Sequence, residues 1–212
     1  MKKSKILNIT MLTILAMPAI ASAETFNGGY VGIQGGYEST KADVTDTGQG
    51  AFAGINFKDQ ISLTGANGGL FAGYGKKFDN LYLGGEIEGS LSGADSKTSL
   101  TTGAGTITMN LEHKYDYGAS IRAGMFPTKD TLIYGKVGFV RGEFKDTSVN
   151  FTKTVNGLRF GIGSETAIAP NLSVRADWSY TDYSKASYTD ATQVGTANPS
   201  SNLFRVGVAY SF

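Results

Sequence analysis

The last ten residues of the chain, LFRVGVAYSF (Leu203–Phe212), alternate without a break. From Phe204 the even positions are Phe204, Val206, Val208, Tyr210 and Phe212, and the odd positions are Arg205, Gly207, Ala209 and Ser211. Period-two alternation places these two sets on opposite faces of a strand. One face is apolar and aromatic; the other is small, polar or charged. An apolar strand left unpaired at a chain end invites aggregation, so this strand needs a partner on each edge and a cover for its apolar face.

The front of the chain says where the protein goes. Residues 1–23 carry Lys2, Lys3 and Lys5, then an apolar stretch from Ile6 to Met17, then Ala21-Ser22-Ala23. A basic start, a short apolar core and an A-x-A site form a cleavable Sec signal. The apolar stretch falls short of the roughly 20 residues of a helical membrane crossing. Cleavage removes three of the 19 basic residues and none of the 18 acidic ones, taking the formal charge from +1 to −2. No strong basic excess marks a nucleic-acid partner. The chain has no Cys, which excludes a disulfide framework and a lipoprotein anchor. Residues 24–212 are expected to form one domain.

Alternating runs recur through that domain, at Gly28–Ser39, Asn67–Lys77, Leu81–Ser92, Glu112–Met125, Leu132–Phe144, Val155–Ile168, Leu172–Tyr183 and Asn202–Phe212. Short turns around Asp79, Pro127 and Pro170 alternate with long polar stretches over 40–66, 93–111, 145–154 and 184–201. Eight strands with short connections at one end and long ones at the other predict an all-β, eight-stranded antiparallel up-and-down transmembrane β-barrel. The short turns would face the periplasm and the four long loops the cell exterior.

Alternation does not by itself say which face is inside, since a soluble barrel alternates too, with its apolar face inward. The polar face here mixes charge with Gly. That mixture suits the narrow lumen of an eight-stranded barrel, where Gly leaves room for long side chains. Parity places Glu86, Glu88, Asp116, Glu165 and Asp177 inside with Arg122, Lys136, Arg159, Arg175 and Arg205. Five carboxylates against five bases predict a salt-bridged plug rather than a selective pore. The apolar face ends in aromatic residues: Tyr37, Tyr115, Tyr117, Trp178, Tyr180 and Phe204 toward the exterior, with Tyr74, Tyr210 and Phe212 toward the periplasm. Two aromatic girdles around an apolar band match the two interfaces of a bilayer.

The segments GGYVGIQGGY (Gly28–Tyr37), GGLFAGYGKKFDNLYLGGEIEG (Gly68–Gly89) and the closing LFRVGVAYSF resemble the OmpA-like or opacity-like family of eight-stranded outer-membrane barrels. The resemblance covers essentially all of residues 24–212 and rests on strand count, Gly-aromatic rhythm and the terminal Phe. It implies that Phe204, Val206, Val208, Tyr210 and Phe212 form the signal read by the barrel-assembly machinery. It is to small members without a periplasmic peptidoglycan-binding domain. It also implies residence in the outer membrane of a Gram-negative bacterium, among lipids that include lipopolysaccharide.

Enzymes exist on such barrels, which gives each candidate catalytic group a chemistry to satisfy. The single His, His113, is expected by parity to face outward near the lipid headgroups, where a His could act as base for a Ser. The residue two further on is Tyr115, not Ser. Glu86 and Glu88 read as members of the ion-pair network, and Asp43, Asp46 and Asp59 lack a Ca²⁺-loop spacing. No catalytic residue, metal site or cofactor is assigned. The expected function is a structural membrane component and surface interaction scaffold, a candidate adhesin or surface antigen contacting a host or cell-surface ligand through its loops. A narrow pore and a lipid A-modifying enzyme are the alternatives.

Overall fold

The computed structural model describes residues 25–48, 56–102, 105–146, 151–189 and 193–212. The expected signal segment lies outside these residues. Ten strands follow one another: β1 (Gly28–Gly48), β2 (Asn56–Phe78), β3 (Leu81–Ser92), β4 (Asp95–Thr102), β5 (Gly105–Met125), β6 (Thr131–Asp146), β7 (Phe151–Ala169), β8 (Leu172–Tyr183), β9 (Ala186–Thr189) and β10 (Gln193–Ser211). They make eight staves, because β4 continues β3 along β5, and β9 continues β8 along β10. Every neighbouring pair is antiparallel, and β1 pairs with both β2 and β10. The sheet is therefore a closed eight-stranded barrel.

The closing strand finds its partners. Tyr30 sits opposite Ser211, the ladder runs on to Gly48 opposite Gln193, and the Phe212 amide donates to the Gly29 carbonyl at 3.0 Å. Val206, Val208, Tyr210 and Phe212 point outward with Phe204 and stay exposed, while Leu203, Arg205, Ala209 and Ser211 are buried. The apolar face covers the outside of the barrel throughout, with Ile33, Ile87, Leu91 and Phe139 more than three-fifths exposed. Among the described residues no helix is long and apolar enough to cross a membrane. Strands do the crossing.

One tight turn shows its chemistry. Between β2 and β3, Asp79 takes φ = 52°, a left-handed conformation that Asp tolerates better than most residues and that favoured hairpin turns require.

Strand continues into the stretches expected as loops. The described residues of 40–66, 93–111, 145–154 and 184–201 are largely strand: β1 runs nine residues past Ser39, and β2 begins eleven residues before Asn67. Backbone pairing needs no apolar face. The ladder continues there while the hydrophobic alternation that reveals a strand disappears.

Candidate functional site

The lumen is filled in three layers. At the end with short turns, Tyr82, Phe126, Leu132 and Tyr134 form a buried apolar cluster. Phe26 packs onto it from just before β1, its ring 5.1 Å from that of Phe126 in an edge-to-face arrangement. Thr25 Oγ1 ties the same segment to the β7–β8 turn by donating to the Pro170 carbonyl at 2.6 Å.

The middle layer is ionic. All ten charged residues that parity assigns to the lumen are buried there. They come from β3, β5, β6, β7, β8 and β10, and their contacts join into one network. Arg122 meets Glu86 at 3.2 Å and Glu165 at 2.6 Å. Arg175 meets Glu86 at 2.6 Å and Asp177 at 3.8 Å. Lys136 meets Asp177 at 3.1 Å and Glu88 at 3.6 Å. Arg205 meets Glu88 at 2.9 Å and Asp177 at 3.4 Å. Arg159 pairs with Glu88, and with Asp116 at 3.4 Å. Such pairs persist in a buried setting only when each charge is matched, since an unmatched one costs several kcal/mol. Arg122 also lies over the Tyr134 ring at 3.9 Å, which joins this layer to the aromatic one below.

The glycines of the inner face make room for these rings. A Cβ on Gly73 would come within 2.3 Å of the Tyr30 hydroxyl, and one on Gly163 within 2.6 Å of the Tyr134 ring.

The third layer closes the end with long strands. Val140, Phe144, Val155 and Tyr183 form a second apolar cluster. Beside it Glu38, on β1, gathers hydrogen bonds from Thr40 Oγ1 at 2.8 Å, Ser92 Oγ at 2.8 Å, Ser201 Oγ at 3.1 Å and Asn67 Nδ2 at 3.4 Å. His113 Nδ1 lies 2.8 Å from the same carboxylate, and its ring stacks on Phe144 at 4.5 Å. One carboxylate thus holds β1, β2, β3, β5 and β10 together.

This arrangement overturns the expected place of His113. The β5–β6 register shifts between His113 and Tyr115, so that both Lys114 and Tyr115 turn outward. The bulge inverts parity above it, and His113 ends 1% exposed in the lumen rather than at the lipid headgroups. Glu38 was not among the expected lumen charges, although its alternation with outward Tyr37 marks it as one. The residues expected in the girdles lie on the outer face. Tyr37, Tyr74, Tyr115, Tyr117 and Trp178 are exposed there, and Tyr180 is half-buried.

The sequence profile of the outer membrane protein beta-barrel domain matches residues 9–212. The chain belongs to this family. It is 29% identical to the 31 kDa outer-membrane immunogenic protein of Brucella melitensis over 92% of this chain and 88% of that one. In structure it is similar to Neisserial surface protein A, with a TM-score of 0.50 at 16% identity over 88% of this chain and 98% of that chain. It is similar as well to the outer membrane protein OprG of Pseudomonas aeruginosa, with a TM-score of 0.52 at 14% identity over 88% and 97%. At these identities the structural likeness shows the fold. This family member is an outer-membrane β-barrel protein, and its apolar band is the surface that meets the membrane.

Proposed function

We propose that the protein is a non-enzymatic structural component of the outer membrane whose strand extensions form a surface-exposed interaction scaffold. The observation that carries this reading is the lumen filled from end to end: aromatic cluster, ten-residue ionic network, Glu38 node. A rigid, filled barrel leaves its projecting end as the part that varies and touches partners. The name of the Brucella relative, an immunogenic outer-membrane protein, supports a surface-antigen role. The lone His is spent on Glu38 and Phe144 inside the barrel, which favours a structural over a catalytic use. We assign Phe204, Val206, Val208, Tyr210 and Phe212 as the element read by the barrel-assembly machinery, and lipopolysaccharide and a host or cell-surface ligand as partners.

Two measurements test this. In planar bilayers the purified protein is expected to give no steady conductance; a stable conductance that changes in Glu88→Gln would replace the scaffold with a pore. Exchange of residues 40–66 or 184–201 for those of a relative is expected to change binding of cells or antibodies while the SDS-resistant, heat-modifiable barrel persists. Unchanged binding with both segments exchanged defeats the scaffold reading.

A further inference from the structure

The outer wall carries two shallow apolar furrows. One crosses β5 to β8, with Gly135 and Ala123 at its floor, Ile121 and Phe160 on its flank, and Trp178 and Tyr180 at its outer end. The other crosses β1, β10, β8 and β7, with Gly35 and Ala176 between Ile33 and Val206. The barrel itself does not require glycine at these floors. A Cβ on Gly135 would meet only the Gly161 carbonyl at 3.8 Å, and one on Gly35 only the Asn67 carbonyl at 3.7 Å. Both are ordinary contacts. Glycine inside a strand weakens it, and one of its uses is to let a ligand or another chain approach the backbone closely.

Each furrow has a base six residues farther along the strand that supplies its glycine: Arg141 beyond Gly135 in β6, and Lys41 beyond Gly35 in β1. An even separation keeps base and glycine on the same outward face, and both bases are exposed. Six residues at about 3.3 Å each span about 20 Å of strand. With strands tilted near 40–45°, that is about 15 Å of depth, roughly half the hydrocarbon thickness of a bilayer. The glycine therefore lies one leaflet deeper than the base. Across the ladders Arg141 faces Tyr117 and Asn156, and Lys41 faces Ser62 and Ser200, so no carboxylate sits directly opposite either base. The outward carboxylates near Arg141 are engaged: Glu143 accepts the Tyr115 hydroxyl at 2.7 Å and Glu112 pairs with Lys114. Asp43 follows Lys41 on the same face of β1, and Asp182 is exposed on β8.

We propose that each furrow seats an acyl chain of lipid A, the membrane anchor of lipopolysaccharide, with a lipid A phosphate held by Arg141 or Lys41. Arg and Lys meet phosphate oxygens through charge-assisted hydrogen bonds, and a chain descending from either base passes the outward Phe139 or Tyr37 before it reaches the furrow floor. Both bases lie toward the end with long strands. With the orientation proposed above, that end is the exterior side, whose leaflet holds lipid A, and the assignment of the ligand rests on that orientation.

The test is retention of lipid A, counted by native mass spectrometry on protein released from nanodiscs of phosphatidylcholine doped with lipid A. The wild type is expected to keep two lipid A molecules per barrel. Arg141→Ser is expected to keep one, as is Gly135→Phe, which fills the furrow and leaves its base in place. Arg141→Ser with Lys41→Ser lowers retention about tenfold, the scale of removing one charge-assisted hydrogen bond at each seat. Lys185→Ser, an exposed base outside both furrows, leaves the count at two. Heat modifiability in SDS is recorded for every variant, and the two routes to the same seat keep the test open if one variant fails to fold. Equal retention in folded Arg141→Ser and Gly135→Phe to that of the wild type overturns the proposal, as does retention of phosphatidylcholine as strong as that of lipid A. A wild type with no heat shift would instead remove the barrel reading beneath it.

Discussion

The lumen holds two polar centres, and they are wired in opposite ways. In the middle layer the connections are spread. Glu88 has three cationic partners, Asp177 three and Glu86 two, and each base reaches two carboxylates. At the end with long strands they are concentrated, with five side chains converging on Glu38. The first arrangement keeps charges matched in a buried layer. The second fastens strands together at the level where the barrel gives way to its projecting extensions.

Substitutions separate the two designs. The largest effect is expected from Glu88→Gln, which takes one of two carboxylate partners from each of Arg159, Arg205 and Lys136 and leaves the network one negative charge short; breaking a buried pair costs about 3–5 kcal/mol. The temperature at which the SDS-resistant form is lost should fall sharply, and a fall no larger than that of an exterior variant would mean that the middle layer is hydrated. Glu38→Gln comes next, at roughly 2 kcal/mol, because hydrogen bonds to a charged group contribute about 1.5–3 each but water can enter near the mouth. Its signature is local: faster amide hydrogen exchange in β1 and β10 above Tyr37, with the short-turn end unchanged. Uniform loss of protection along both strands would erase the distinction between fastening and filling. The smallest effect is expected from Asp116→Asn, which removes one of two carboxylate partners of Arg159 and should cost about 1 kcal/mol. If Asp116→Asn matches Glu88→Gln in the heat-shift assay, the network is not redundant and the contrast with Glu38 fails.

The middle of each stave was legible because lipid on one side and a polar lumen on the other impose strict alternation. That is why all ten lumen charges follow from parity and why Phe204 to Phe212 read so cleanly. Beyond Ser39 in β1, or before Glu112 in β5, the alternation vanishes although hydrogen-bonded pairing continues. Nothing in KADVTDTG distinguishes a paired strand from a loop. His113 was misplaced for a different reason: a bulge is a property of two strands together, and LEHKYDYG alone does not show which residue is the extra one. Glu38 needed no hidden information, only that the parity fixed by Tyr37 be carried one residue further.

The bulge at Lys114 makes β5 a strand with two reading frames. Below it, faces are assigned by one phase, and above it by the other. Against β6, the step from His113 to Tyr115 spans the single step from Phe144 to Glu143, so Lys114 is a residue the ladder does not count. Its deletion would restore one-to-one pairing on the β6 edge, with His113 still inward beside Glu38 and Tyr115 still outward. A deletion at Gly118 has no such slack: every side chain on one side of it would exchange inside for outside, unless the bulge were consumed to absorb the change. Against β6, Lys114 is therefore the place where this stave can change its length by one residue and leave the faces of His113 and Tyr115 as they are.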